Sequence, residues 1–562
     1  MRRFFQPDRP LFVIATLVII WIGATVANFN KAYHIDDTAY LEVAQWVTVH
    51  PLHPMQGMVN WGNVATPISA INQPPLYSYC LAIWGLMFGL GEISTHLMQS
   101  LFTLAAIAFF YGLARKTVPQ HALLVSALFG LCPPLITGQN IMTDVPMLAF
   151  WNAFYFVLLA WSPRSESTRY GVAGLIAGVA ILIKYTSLIL LPAILLHMFL
   201  SRNRRQWPWL GIPLAIIATW SAFNVWDCGQ IHILNRAVTF EARSTHLLCW
   251  LITLGAIAPQ AFVFYMKSAQ GLRSRAFWTG LIILAFSIVI LVLPAYHFNL
   301  ISRTRTVDVL YISFLLNGTI LAWMLMRRSI RLLPFQLEKT DLVFRPDAQD
   351  INLLSLLHYW MWASSLFVLF FAPFMAVRHV LPSIPPLLLI LAYNGGLKTR
   401  LRWRMTTVIL TVVLSSCLAL SDWNYANAYR EGALNVACQV SPKSRIWFVG
   451  HWGWQYYAKK AGMLQLTGSR PEAQPGDVLI RPAFAQIESI APTLQTRTIR
   501  YLASSPQRAF MPSVDRASLY ATTLPLLPWH PSRQAFEIIS IEEIISNTTP
   551  LTNAQPHAPT AP

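Results

Sequence analysis

Leu11–Tyr40 reads LFVIATLVIIWIGATVANFNKAYHIDDTAY: an apolar run, Leu11 to Asn28, followed a few residues later by two adjacent carboxylates, Asp36 and Asp37. The run is long enough for a helix to cross the hydrocarbon of a bilayer, which takes about 20 residues. Arg2 and Arg3 precede it as in a secretory leader. No small-x-small cleavage site follows, so it reads as an uncleaved first span. Beyond the carboxylates, Tyr40-Leu41 and Ala44-Gln45-Trp46 recur at a helical period. The acidic pair therefore falls at a helix N-terminus, where the macrodipole favours anions. Asp37 is placed to act as an ordinary N-cap, and the two roles are compatible: one carboxylate caps while the other faces a cavity.

The rest of the chain reads largely as membrane scaffold. Of its 562 residues 55% are hydrophobic and only 11% charged, against about 25% charged in soluble domains. The net charge of +18 does not point to nucleic acid, because the basic residues form short clusters between apolar runs rather than a patch with interleaved stacking aromatics. Six cysteines without a CxxC pair indicate no zinc or redox motif. The expected fold is a polytopic α-helical membrane protein of about 13 transmembrane helices: 11–28, 95–114, 120–138, 146–162, 170–185, 187–201, 207–225, 246–266, 276–296, 307–326, 353–373, 379–397 and 403–420. The short apolar segment 75–90 is read as a juxtamembrane helix lying in the interface. With the N-terminus cytoplasmic, inner segments hold 22 Lys and Arg, and outer loops before the C-terminal region hold six. That is the expected inside bias, and it is lost if 75–90 crosses. The domains expected are a transmembrane catalytic domain over 1–420, with its acidic motif in the outer loop 28–94, a small α/β extracytoplasmic domain over 421–545, and a disordered tail over 546–562. Within the outer domain, Ser444–Val449 and 477–480 read as strands and Trp454–Ala461 as a helix.

This orientation brings further polar residues to the outer face. Gln73-Pro74-Pro75-Leu76-Tyr77 closes the first loop, its double proline enforcing extended backbone. Asp144 lies in Met142-Thr143-Asp144-Val145-Pro146 at an outer helix boundary, which by itself is an ordinary helix start with proline in the first turn. Lys184, next to Tyr185, interrupts an apolar segment, and cations within membrane segments mark functional sites or buried partners. The region 170–201 is too short for two comfortable crossings, so this hairpin is expected to be tilted or partly re-entrant. Arg378-His379 precedes Leu381-Pro382-Ser383-Ile384-Pro385-Pro386, and a guanidinium there suits a phosphate at the interface.

Taken in order, these motifs resemble the GT-C superfamily of polyprenyl-phosphate-sugar-dependent glycosyltransferases, in the branch of protein O-mannosyltransferases and the aminoarabinose transferase of lipid A. The likeness is carried by Asp36-Asp37, Pro74 to Tyr77, Asp144 with Pro146, Leu182-Ile183-Lys184, Arg378 to Pro386, and the outer-domain string Phe448-Val449-Gly450-His451-Trp452-Gly453-Trp454-Gln455-Tyr456-Tyr457. It spans about residues 1–480. Three positions depart from the family pattern: Asp37 where Glu is usual, Gln73 where His often stands, and His379 where an aromatic stands. The second departure removes a ligand, and no metal is expected. The resemblance implies a membrane glycosyltransferase that moves a hexosyl or pentosyl unit from a polyprenyl-phosphate-linked donor to a hydroxyl on a protein, lipid or polysaccharide acceptor, with inversion. It implies Asp36 as general base, with Asp37 and Asp144 completing a catalytic group, and Lys184 and Arg378 on the donor phosphate. His34, Tyr40, Gln73, Tyr77, Tyr185 and His379 are the candidates for the substrate cavity. The expected setting is a bacterial inner membrane with the C-terminal domain outside. The rival from another class is a transporter or flippase of lipid-linked saccharides, for which ionisable groups near the midplane and inverted repeats are the usual marks; neither is visible here.

Overall fold

The computed structural model describes residues 10–62, 65–71, 73–235, 244–269, 302–332, 348–440, 444–466, 472–485, 494–504, 510, 517–521 and 527–547. The expected span 276–296 and all but the first two residues of the expected disordered tail lie outside them. Seven described helices are long and apolar enough to cross a membrane, from Pro10–Asn28 at the start to Leu401–Gln439 at the end. An eighth crossing is formed if Thr245–Ala256 and Ala261–Lys267, bent by 83°, count as one. The polytopic helical architecture and the C-terminal sheet domain are both present.

The expected span 120–138 is broken and the segment 75–90, read as interfacial, is short, for local reasons. The segment expected over 120–138 divides into helices Ala122–Gly130 and Pro133–Thr137, since Pro133-Pro134 supplies no backbone N–H to continue the first. Leu76–Phe88 has only 13 residues, about 20 Å at 1.5 Å per residue, well under the hydrocarbon thickness of about 30 Å. Its distal residues Ile83, Leu86, Met87 and Phe88 are exposed apolar side chains. The helix Glu166–Ile183 stops at Lys184, whose backbone is extended (φ −156°, ψ 123°), and a 3-10 turn, Tyr185–Ile189, leads into Leu190–Leu200. Small residues set that first helix close to Gly211–Cys228: a Cβ on Gly178 would fall 2.4 Å from Ile216 Cδ1. Close approach through small residues is a common device where lipid offers no hydrophobic drive.

The last long helix runs unbroken from Leu401 to Gln439, so the change in composition near residue 421 falls inside it. Beyond it, five described strands form one sheet in the spatial order Leu464–Gln465, Ile446–Phe448, Val478–Pro482, Ile538–Asn547, Leu494–Ala503. The first three are mutually parallel and the last two pair antiparallel. One face of this sheet shares the membrane core: Phe448, Ile480, Ile539 and Ile541 pack in the same apolar cluster as Tyr425, Ala426 and Tyr429 of the long helix. Trp447, Leu479 and Ile544 close a smaller cluster on the other side.

The helix Trp452–Lys460 joins the C-terminal sheet domain to the segment that follows the first long helix. Trp454 is fully buried and its indole N–H donates to Val449 O at 2.9 Å. Gln455 donates to Glu42 (2.9 Å) and to Asn60 O (3.0 Å). Tyr33 N–H donates to the Tyr457 hydroxyl (2.8 Å), which in turn donates to Glu92 (2.6 Å), and Arg430 pairs with the other Glu92 oxygen at 2.5 Å. Gly453 lies against the backbone itself: a Cβ there would stand 2.1 Å from Tyr33 O and 3.3 Å from His34 Cα. Backbone cannot rotate away as a side chain can. Gly453→Ala is therefore expected to force the helix off the loop and cost about 1–3 kcal/mol. In thermal unfolding this reads as a lowered midpoint, with faster proteolysis of the C-terminal domain.

Candidate active site

The acidic turn is strained and tightly held. Ile35 takes φ 50°, a left-handed backbone that is an outlier for a β-branched residue and costs about 1–3 kcal/mol. Two features hold it there. His34 is fully buried, its ring 4.4 Å from that of Tyr425, 5.1 Å from Tyr520 and 5.8 Å from Tyr429. Asp37, also fully buried, accepts the His34 N–H at 2.8 Å on one oxygen and the Ile141 N–H at 2.8 Å on the other. Asp37 is thus a staple between the first outer loop and the turn before Asp144. The N-cap position belongs to Asp36, whose side chain makes no capping bond and is free to point elsewhere.

Asp36 points at Arg378. The guanidinium donates to its Oδ2 at 3.3 Å, and Arg378 Nε lies 3.9 Å from Asp144 Oδ2. Asp144, the first residue of Asp144–Leu159, accepts from Lys184 Nζ at 2.6 Å on its other oxygen. Four segments thereby bring together Asp36, Arg378, Asp144 and Lys184 as an alternating chain of charge. All four side chains are partly covered, from 8% to 17% exposed. Arg378 has five N–H donors, and its described polar contacts are the 3.3 Å bond, the 3.9 Å approach and a thioether, Met142 Sδ at 3.7 Å. Most of its hydrogen-bonding capacity is unused. Burial raises the Asp36 carboxyl above the ordinary carboxylate range; Arg378 opposes the rise, the Asp144 charge adds to it, and Lys184 opposes it. Burial likewise pushes Asp37 up to about 7, against the Lys31 charge and the two backbone N–H donors.

The expected cavity residues divide. Tyr40 is half-buried beside the charge chain, its hydroxyl 3.4 Å from Thr143 Oγ1. His379 bonds Phe374 O through Nδ1 at 3.1 Å. Gln73 Oε1 is buried with no hydrogen-bond partner among the described residues. Tyr185 lies deeper, its hydroxyl joined to His232 Nδ1 (2.8 Å) and accepting from Trp220 Nε1 (2.9 Å). His34 and Tyr77 are fully covered, His34 by tyrosine rings and Tyr77 by packing in which its hydroxyl donates to Gln99 at 2.7 Å. Among the described residues, no three His, Cys, Asp or Glu side chains converge as a metal ligand set would.

One cluster beside the site is absent from the expectations. Lys31 is fully buried, forms an ion pair with the equally buried Asp422, and donates to Asn140 Oδ1 at 2.5 Å. The Tyr520 hydroxyl donates to Asp422 Oδ1 at 2.7 Å and accepts from Asn140 Nδ2 at 2.9 Å. The available signal was isolation: Lys31 is the only Lys or Arg between Arg9 and Arg115, and Asp422 the only acid between Leu401 and Arg430.

Part of the chain matches one family model. Residues 72–226 match the family model described as dolichyl-phosphate-mannose-protein mannosyltransferase. The chain resembles the GT-C glycosyltransferases. The matched stretch contains Gln73, Tyr77, Asp144 and Lys184; Asp36 precedes it and Arg378 follows it. Among solved structures, ArnT from Cupriavidus metallidurans is matched in its apo state (TM-score 0.44, 14% identity, covering 94% of this chain and 97% of that one). The same enzyme bound to undecaprenyl phosphate is matched with TM-score 0.42 and 13% identity, covering 94% and 97%. The Archaeoglobus fulgidus oligosaccharyltransferase is matched with TM-score 0.44 and 12% identity, covering 80% of this chain and 62% of that one. No curated protein matches.

The two aspartates of the turn have separable roles. Asp37→Asn puts an amide NH₂ against one of two backbone N–H groups, and a buried donor left without an acceptor costs about 1–3 kcal/mol. The expected result is a lowered thermal midpoint and faster amide exchange at Ile141. Asp36→Asn is expected to leave both unchanged.

Proposed function

We propose that the chain transfers a sugar from a polyprenyl-phosphate-linked donor to a hydroxyl acceptor at the outer membrane surface, with inversion at the anomeric carbon. The observation that carries this reading is the division of labour between neighbouring carboxylates. Asp37 is engaged on both oxygens by backbone, Asp144 is engaged by Lys184, and Asp36 has only the 3.3 Å bond from Arg378. Among the described contacts Asp36 and Asp144 each keep one oxygen without a hydrogen bond, and Asp36, held only by the longer 3.3 Å bond while Asp144 is committed to Lys184 at 2.6 Å, is the carboxylate this reading assigns as base.

In the proposed step, Asp36 takes the proton of the acceptor hydroxyl as its oxygen attacks the anomeric carbon. The carbon–oxygen bond to the phosphate breaks on the opposite face, and the electron pair leaves on the phosphate. A positioned base contributes about 10²–10⁴-fold in rate. The unused N–H groups of Arg378 suit the departing phosphate, and Lys184, with one of three donors on Asp144, lies next in line; charge placed where charge develops is a major catalytic term. Asp144 holds the two cations in place, since it contacts both. Asp37 acts through the backbone as a positioning residue. The prenyl tail of the donor would remain in the bilayer, consistent with the apolar spans around the site. The proposed setting is a bacterial inner membrane with this site and the sheet domain on the extracytoplasmic side, in line with the 22-to-6 bias of basic residues.

The test is sugar release from a panel of polyprenyl-phosphate sugars by purified protein in nanodiscs, supplied with hydroxyl acceptors. Wild type is expected to turn over at least one donor, with Asp36→Asn slower by about 10²-fold or more. Equal turnover in Asp36→Asn would remove the base assignment. Because the base must be ionised and burial raises its pKa, the acid limb of kcat/KM is expected above the ordinary carboxylate range of about 4. Activity should rise with pH through that limb. A limb at or below about 4 contradicts the assignment of a buried Asp36.

A further inference from the structure

We infer that Tyr520 is a positioning residue that fastens the outer domain to both halves of the site. Residues Leu519 and Tyr520 belong to the C-terminal domain, far in sequence from every charged group of the site, yet their contacts border both the acidic turn and Arg378. The Leu519 carbonyl accepts the Val377 N–H at 2.9 Å, the residue before Arg378. The Tyr520 hydroxyl accepts from Asn140, the residue before Ile141, whose N–H holds Asp37. The same hydroxyl donates to Asp422, the partner of Lys31, and lies 3.4 Å from Lys31 Nζ. The Tyr520 ring stands edge-on to His34 at 5.1 Å, two residues before Asp36.

A tyrosine suits this place for a physical reason. Its hydroxyl donates to one buried group and accepts from another, while its ring fills one wall of the aromatic box around His34. Phenylalanine keeps the ring and the Leu519 backbone bond but leaves Asn140 Nδ2 and one Asp422 oxygen without that partner. The substitution therefore loosens the Asp36 side of the site and spares the Arg378 side. Among the described residues no hydrogen bond or ring contact of Tyr520 reaches Asp36, Asp144 or Lys184, so its effect on chemistry runs through the turn. That catalytic consequence rests on the transferase reading, whereas the fastening itself does not.

Hydrogen–deuterium exchange and donor kinetics on the full chain in nanodiscs, for wild type, Tyr520→Phe and Asn140→Ala, test the inference. Both variants are expected to exchange faster over residues 34–41 and at Ile141, while strands Val478–Pro482 and Ile538–Asn547 keep their protection. For Tyr520→Phe, kcat is expected to fall about tenfold or more, since small displacements of reacting groups cost up to about 10²-fold, with KM for the donor within about threefold. Unchanged exchange at the turn, uniform loss of protection including the sheet, or an unchanged kcat in an active preparation overturns the inference. If Tyr520→Phe does not fold, the exchange pattern of Asn140→Ala decides. A wild type without turnover, but with the localised exchange response in the variants, would remove the transferase reading and leave the fastening standing. An active wild type with no exchange response would do the reverse.

Discussion

Asp37 accepts one backbone N–H from the first outer loop and one from the turn before Asp144, and the rest of the site depends on that double bond. It is the hydrogen-bonded part of what holds the strained Ile35 backbone, and with it Asp36 is presented toward Arg378. The strain and the staple belong together: a β-branched residue at φ 50° persists only where its surroundings over-determine it. Here they do so through two hydrogen bonds on Asp37, three tyrosine rings around His34, and the backbone of Tyr33 pressed against Gly453. The acidic turn is consequently a rigid feature of a membrane protein whose outer domain and bundle share one apolar core.

The electrostatics follow from that rigidity. Two carboxylates brought close together in a covered site would each disfavour ionisation of the other. Arg378 and Lys184 are interleaved with Asp36 and Asp144, so the assembly is formally neutral and each charge has an opposite neighbour. The contacts are unequal. Lys184 is close to Asp144 at 2.6 Å, whereas Arg378 stands back from both carboxylates at 3.3 and 3.9 Å. A guanidinium held loosely between two acids keeps its donors available for a planar or tetrahedral oxyanion, and this unequal pairing is what the proposed role of Arg378 as a binding cation rests on. Lys31, deeply buried and paired to Asp422, is the structural case.

Much of this was legible in the sequence, residue by residue. Lys184 stood out as a cation in an apolar run, Asp144 as an acid at a helix start, and Arg378 as an isolated base in an outer loop. Their meeting was not legible, because Asp36 and Arg378 are 342 residues apart and periodicity carries no information at that range. Nor were the different partners of Asp36 and Asp37, which depend on the left-handed backbone at Ile35 just before them and on Ile141 and Arg378 far along the chain. That His34 and Tyr77, read as cavity candidates, are enclosed by packing was not legible either. The paired outer strands Leu494–Ala503 and Ile538–Asn547 escaped detection for a simpler reason: the first is largely exposed and carries Thr496, Arg497, Thr498 and Arg500 in place of an apolar run.

The most direct measurement of the central claim, that Arg378 is an anion-binding cation restrained by Asp36, is the affinity of polyprenyl phosphate for the protein in nanodiscs. Charge-assisted hydrogen bonds contribute about 1.5–3 kcal/mol, so Arg378→Gln is expected to weaken binding by about 10- to 100-fold. Asp36→Asn, which removes the competing carboxylate, is expected to bind the phosphate as tightly as wild type or more tightly. An Arg378→Gln protein with unchanged affinity, or an Asp36→Asn protein weakened as much as Arg378→Gln, would contradict the account.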